Sequence, residues 1–367
     1  MNAKQTPRST RPALLLSLLL LGFGCVVVPA ETARADEPLS ASEIRATLEE
    51  LHRTHRAVNV GKVYQSGAKQ VDASWFGIAV AAADGTVTAV GDADRVFPIQ
   101  STAKIFTYGL ALEDHGAKTV RQRVGVNATG LPYGSLIASE VRARPRQNPM
   151  VSAGAISTMA LIKGSSETDK WQRVQAAFAG YAGEPVLLNT DVFQFEISHN
   201  THSLALAYAL LTRELLWMPC VERTPDCFKG PANGEVEAVI ERYLKSTSQN
   251  VTARRLALMG ATLANGGVNP KTKVRAVSRE NLPFILSAMV TAGMYDASGD
   301  WMSDVGIPAK SGVSGNIVAV VPNRMAIAVY SPPLDEQGNS VRGVRVIKDL
   351  ARRWSLHLFA PPGEARR

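Results

Sequence analysis

Strand-type runs stand near both ends of this chain and helical patterns fill its middle, and that order constrains the fold more than any other feature. Residues 76–83 are an apolar run that Asp84-Gly85 turns into 86–90, a hairpin signal. Residues 317–321, the turn Pro322-Asn323 and 325–330 make a second hairpin. Between them the apolar spacing predicts helices over 101–115, 153–163, 171–179, 203–216, 235–245, 251–264 and 280–291. Gly116 is the expected stop of the first, and 117–149 reads as loop. A helix capped by Ser42, with Ile44, Leu48 and Leu51 on one face, precedes the first hairpin. An amphipathic helix bearing Val341, Val344, Ile347 and Leu350 follows the second. Strands from both ends pair most simply in one antiparallel sheet, which predicts an α/β (α+β) fold flanked by helices. Residues 36–100 and 268–367 form the sheet-containing part, with 101–267 inserted as a mainly helical part. A 367-residue chain with 46% hydrophobic residues can bury the core this needs.

The first 35 residues stand apart. Lys4, Arg8 and Arg11 precede a leucine-rich apolar run over 13–28, then Pro29 and Ala33-Arg34-Ala35. That order reads as a secretory signal cleaved after Ala35 and predicts an exported, periplasmic or secreted protein. A membrane anchor is the alternative, disfavoured by the short run and by Gly22 and Gly24; lipidation at Cys25 fits its flanks poorly. Removing four basic groups and one acidic group lowers the formal charge from +8 to +5. No basic block with interleaved aromatics suggests nucleic acid. Cys220 and Cys227 flank VERTPD, and in an oxidising compartment they read as a local disulfide, with two free thiols as the alternative. His199 and His202 lie in a polar, loop-like stretch, and no spacing suggests a metal site.

Two Ser-x-x-Lys segments occur. Ser66-Gly67-Ala68-Lys69 sits in a Gly-containing loop and reads as surface. Ser101-Thr102-Ala103-Lys104 follows Phe97-Pro98-Ile99 and opens a strong helix, so Lys104 lies one turn from Ser101 on the same face. A neutral, partly desolvated lysine can take the serine proton, and a helix N-terminus favours the nascent anion. Alternatively, Ser101 is a helix cap and Lys104 a solvated cation. Lys310-Ser311-Gly312 precedes the second hairpin, so it is expected at the edge of the same sheet. In serine–lysine acyltransferases such a strand closes the pocket opposite the nucleophile.

Longer strings make the likeness specific. FGIAVAAADGTVTAVGDADRVFPIQSTAKIFTYGLALEDHG, NPMVSAGAI, ATLANGG, AGMYDASGD, GIPAKSGVSGNIVAVVP and SPPLDEQGNSVRGV occur in this order. The chain resembles the serine-dependent glutaminases, which share the β-lactamase/penicillin-binding-protein fold. The resemblance implies hydrolysis of a carboxamide, L-glutamine or a related amide, through an acyl-enzyme, without cofactor, in a homo-oligomer (dimer or tetramer). It implies Ser101 as nucleophile, Lys104 as base and Tyr243 as proton relay to departing ammonia. Gln100, Ser152, Glu196, Ser203, Tyr295 and the Val313 backbone N–H would hold substrate, Glu196 by pairing with its α-ammonium.

Three departures bear on substrate choice. NPMVSAGA stands where the family reads NPMVNAGA, placing Ser152 at an asparagine position; His202-Ser203 replaces Arg-Asn; Tyr133-Gly134-Ser135 replaces Phe-Asn-Ser. Serine keeps a hydrogen-bonding group but shortens its reach. Three readings follow: a glutaminase, a hydrolase of the same mechanism with another amide substrate, and a binding protein that has lost catalysis.

Overall fold

Period-two alternation inside five short strands sets the architecture. The computed structural model describes residues 39–65, 67, 71–140, 146–220, 227–232 and 234–360. Strands β1 (Gly77–Ala82), β2 (Val87–Gly91), β3 (Ala309–Gly312), β4 (Asn316–Val321) and β5 (Met325–Tyr330) form one antiparallel sheet in the order β2-β1-β5-β4-β3. The N-terminal hairpin therefore docks on the C-terminal one through β1 and β5, with Ala79 opposite Ala328 and Val80 opposite Ile327. The Lys310 strand is an edge, as the sequence predicts.

Successive side chains face opposite sides. Ile78, Val80, Ile317, Ala319, Ile327 and Val329 belong to one buried cluster; Ala79, Ala81, Val318, Val320, Ala326 and Ala328 belong to the other. The first face is covered by α1 (Ala41–Arg56) and the terminal helix Val341–Arg353, through Ile44, Leu48, Leu51, Val346, Ile347 and Leu350. Each such side chain stabilises the fold by about 1.5–3 kcal/mol on burial. The second face is mostly alanine, which lets the helix Ala253–Ala264 lie close. A Cβ on Gly260 would stand 2.7 Å from the Ala326 Cβ and 2.8 Å from Val318 Cγ2, so only glycine fits that crossing.

The other helices are α2 (Ala103–Arg121), α3 (Ser152–Ala160), α4 (Glu167–Ala182), α5 (Thr190–Ser198), α6 (Thr201–Thr212) and α7 (Glu235–Thr247), followed later by Leu282–Ala292. Several predicted elements move. Ser40, not Ser42, caps α1: its hydroxyl accepts from Glu43 N at 3.2 Å and Glu43 Oε2 accepts from Ser40 N at 2.9 Å. That reciprocal box outbids the nearer serine. Gly116 breaks α2 at φ 73 and ψ 154, but the helix resumes and reaches Arg121. The stretch with His199 and His202 is helical, not loop: His199 ends α5 and His202 is in the first turn of α6.

The leader, Ser66 and Lys69 lie outside the described residues. Cys220 and Cys227 are disulfide-bonded, beside a two-residue ladder pairing Met218 with Lys229 and Pro219 with Phe228. Among the described residues no helix is long and apolar enough to cross a membrane.

Candidate active site

Ser101 sits in a single 3-10 turn, Gln100–Thr102, that runs straight into α2. The approach is fixed from two directions. Phe97 and Pro98 pair with Val251 and Asn250, and Ile99 N donates to Gln249 O at 2.7 Å. From β4, the fully buried Asn316 donates through Nδ2 to Ile99 O at 3.0 Å and to Thr102 Oγ1 at 2.9 Å. Between these anchors Gln100 is held at φ 48, a left-handed conformation that costs a non-glycine residue about 1–3 kcal/mol.

Lys104 is one turn on. It is 2% exposed, and its Nζ lies 3.2 Å from Ser101 Oγ. Burial favours the neutral amine and lowers its pKa from 10.5 to about 7. The alternative of a capping serine beside a solvated lysine is thereby excluded: Thr102, not Ser101, precedes α2, and the lysine is inside.

Two phenols flank the pair. The Tyr243 ring, on α7, is centred 5.9 Å from Lys104 Nζ. Burial raises its pKa, while a hydrogen bond with the Ser152 side chain opposes the shift. Tyr295, also left-handed at φ 59, donates its hydroxyl to Ser311 O at 3.0 Å and hydrogen-bonds the Ser101 side chain; burial again dominates and raises its pKa. Lys310 is fully buried beneath it. Its Nζ donates to Gly293 O at 3.1 Å and Ser311 O at 2.7 Å, and lies 4.0 Å from the Tyr295 ring centroid. Burial, then repulsion from Lys104, holds its pKa well below the usual lysine range. Lys310 thus supports Tyr295 rather than reaching into open space.

Glu196, in the last turn of α5, accepts from Gln100 Nε2 at 3.1 Å and from the Tyr64 hydroxyl at 3.4 Å. Burial raises its pKa and those two bonds oppose the rise. A half-buried carboxylate held by neutral donors is suited to receive a cation. Ser203 lies in the first turn of α6 and Val313 in the turn after β3. No hydrogen bond among the described residues ties either to Ser101 or Lys104. The fold therefore brings Gln100, Ser101, Lys104, Ser152, Glu196, Tyr243, Tyr295, Lys310, Ser311 and Gly312 to one place, using residues far apart in sequence.

Sequence reasoning missed Tyr64 and Asn316. Neither lies in a periodic pattern, and Tyr64 reaches Glu196 across 132 positions of sequence, so no local signal announces it. Among the described residues no cluster of His, Cys, Asp or Glu could hold a metal. A separate cleft of about 660 Å³, lined in part by Lys118, Arg121, Asn127, Thr129 and Phe284, includes none of these groups. Chemistry, rather than volume, locates the site.

Comparison with known proteins identifies the family. Residues 63–359 match the family model described as Glutaminase. A glutaminase of Trichormus variabilis is 42% identical over 89% of this chain and 93% of its own length. Glutaminase 1 of Escherichia coli O6:H1 is 36% identical over 88% and 99%. Among solved structures, one described as a "Probable glutaminase" superposes with a TM-score of 0.81 at 36% identity, covering 88% of this chain and all of that one. The architecture is the β-lactamase-like one that the sequence strings imply. The match spans the sheet, the helical middle and both halves of the site from Tyr64 to Val313, and on that ground the chain belongs to the glutaminase family.

Proposed function

We propose that this chain is an exported glutaminase that hydrolyses L-glutamine to L-glutamate and ammonia through an acyl-enzyme on Ser101. One observation carries the mechanism: a buried Lys104 amine at 3.2 Å from Ser101 Oγ, with its pKa depressed into the neutral range. Neutral Lys104 takes the Ser101 proton as Oγ attacks the substrate γ-carbonyl. The backbone N–H groups of Ser101 and Val313 stabilise the oxyanion. As the tetrahedral intermediate collapses, the C–N bond breaks and Tyr243, recharged by Lys104, passes a proton to the leaving nitrogen. Water then attacks the ester by the reverse path and frees glutamate and Ser101. Glu196 holds the α-ammonium, supported by Gln100 and Tyr64.

Ser152 and Ser203, in place of asparagines, favour a second reading in which the same chemistry serves another amide. Ammonia release by the chain beginning at Asp36 decides between them. The first reading requires release from L-glutamine that Ser101→Ala reduces by at least about a thousandfold. The second requires Ser101-dependent release from other amides and none from glutamine. Export predicts that the protein isolated from the periplasm or medium begins at Asp36; an intact N-terminus in a membrane fraction would replace it with the anchor. The assembly we propose is a homo-oligomer, measured by light scattering.

A further inference from the structure

Two of the three departures from the family strings touch each other. His202 Nε2 lies 2.7 Å from Gly134 O, and since a carbonyl only accepts, the imidazole N–H donates. The glycine makes room for the contact: a Cβ at position 134 would stand 3.0 Å from that same Nε2, tight enough that the imidazole would have to shift. Imidazole and missing side chain therefore form one device.

What it fastens is a wall of the site. Ser135 N donates to Pro132 O at 2.9 Å, so 132–135 is a tight turn. At its front, Tyr133 O accepts from Ser152 N at 3.0 Å, which ties the turn to the start of α3. At its back, His202 ties it to the start of α6, one residue before Ser203. Held at both ends, the turn sets the Tyr133 ring 4.5 Å from the Tyr295 ring. The Tyr133 phenol stands close enough to Glu196 for that carboxylate to raise its pKa, after the larger effect of burial. Lys310 donates to two backbone carbonyls and Lys104 stands on Ser101, so neither is placed to meet a substrate carboxylate.

We propose that His202 is a positioning residue for substrate binding: by latching the Gly134 backbone it holds the Tyr133 hydroxyl over the pocket, where that hydroxyl donates to the substrate α-carboxylate alongside the short side chains of Ser152 and Ser203. This rests on the glutaminase reading for the identity of the substrate. It makes Tyr133, His202 and Gly134 the specificity-determining set of this chain.

The test is steady-state kinetics with L-glutamine, together with the rise in unfolding midpoint that L-glutamate induces. His202→Ala is expected to raise KM about five- to tenfold and to leave kcat within about twofold, the loss of one positioned hydrogen bond. His202→Asn, which keeps an N–H donor, recovers part of the loss. Gly134→Ala raises KM while His202 is present and much less in the His202→Ala background. An unchanged KM in His202→Ala, or effects that simply multiply in the double variant, overturns the latch. If the parent protein releases no ammonia from glutamine, the glutaminase reading fails by itself and the glutamate-induced shift decides the latch. A smaller shift in His202→Ala supports it; no shift, or equal shifts, overturns it.

Discussion

A lysine is costly to bury, and this site buries two, Lys104 against Ser101 and Lys310 beneath Tyr295. Lys104 acts as a base only as the free amine, and burial brings its pKa to about 7, so the proton leaves within the neutral range. The sign follows: kcat/KM should rise with unit slope as pH climbs towards 7 and level off above it. Ammonia release measured from pH 5.5 to 9 checks this, and a profile flat across 6 to 8 would remove Lys104 as the base. Asn316 carries a second prediction. Its amide binds Ile99 O and Thr102 Oγ1 on either side of the strained Gln100. Asn316→Ala removes both bonds and leaves Ile99 O and Thr102 Oγ1 with only each other at 2.7 Å, which should cost about 1–3 kcal/mol in unfolding free energy, with a fall in kcat as the Ser101 turn loosens. The dyad was legible because its spacing is local, three residues on one helix face. Asn316 and Tyr64 were not legible, because each acts on a partner more than a hundred residues away.

Elements were legible where periodicity was strong. Both hairpins and the amphipathic helix over Val341–Arg353 lie where alternation and spacing place them. Helix α5 escaped because only Val192 and Phe193 are buried on it, too few to print a pattern, and its start rests on a cap in which Val192 N donates to Asn189 Oδ1 at 3.0 Å. The stop predicted at Gly116 failed for another reason: a glycine with positive φ can kink a helical segment without ending it. Close packing was invisible from sequence altogether. The crossing of Ala253–Ala264 over the sheet depends on Gly260 meeting Ala326 and Val318. Gly260→Val should force the helix off its alanine-lined bed and cost about 1–3 kcal/mol or more, although valine improves the hydrophobic count. A lowered denaturant midpoint with unchanged slope would report it; an unchanged midpoint would show that the helix shifts freely.

At the scale of the whole molecule, the site's chemistry acts on the stability of the fold. In the unfolded chain Lys104 titrates near 10.5, whereas in the folded chain its pKa is about 7. Between those values the unfolded state holds the extra proton, so stability is greatest above the unfolded pKa and is lost as pH falls towards 7, by up to about 1.4 kcal/mol per pH unit for one group. Lys310, whose pKa is also lowered by burial, adds a contribution of the same sign. The lowered His115 acts below its ordinary 6.5, and the raised carboxylates Glu196 and Asp114 oppose the trend, so the lysines are read in the window from pH 7.5 to 9.5 by comparing variants with the parent. The unfolding free energy of the parent should therefore climb across that window. Lys104→Met and Lys310→Met, which keep apolar bulk and lose the titrating amine, should each flatten the climb, and the double variant should flatten it most. Parallel curves for parent and variants would mean that the amines are solvated in the folded protein, and the neutral base proposed for Ser101 would go with them. On the proposed mechanism, a fold that gives up stability near neutral pH to keep an uncharged lysine beside a serine has its centre set by catalysis rather than by packing.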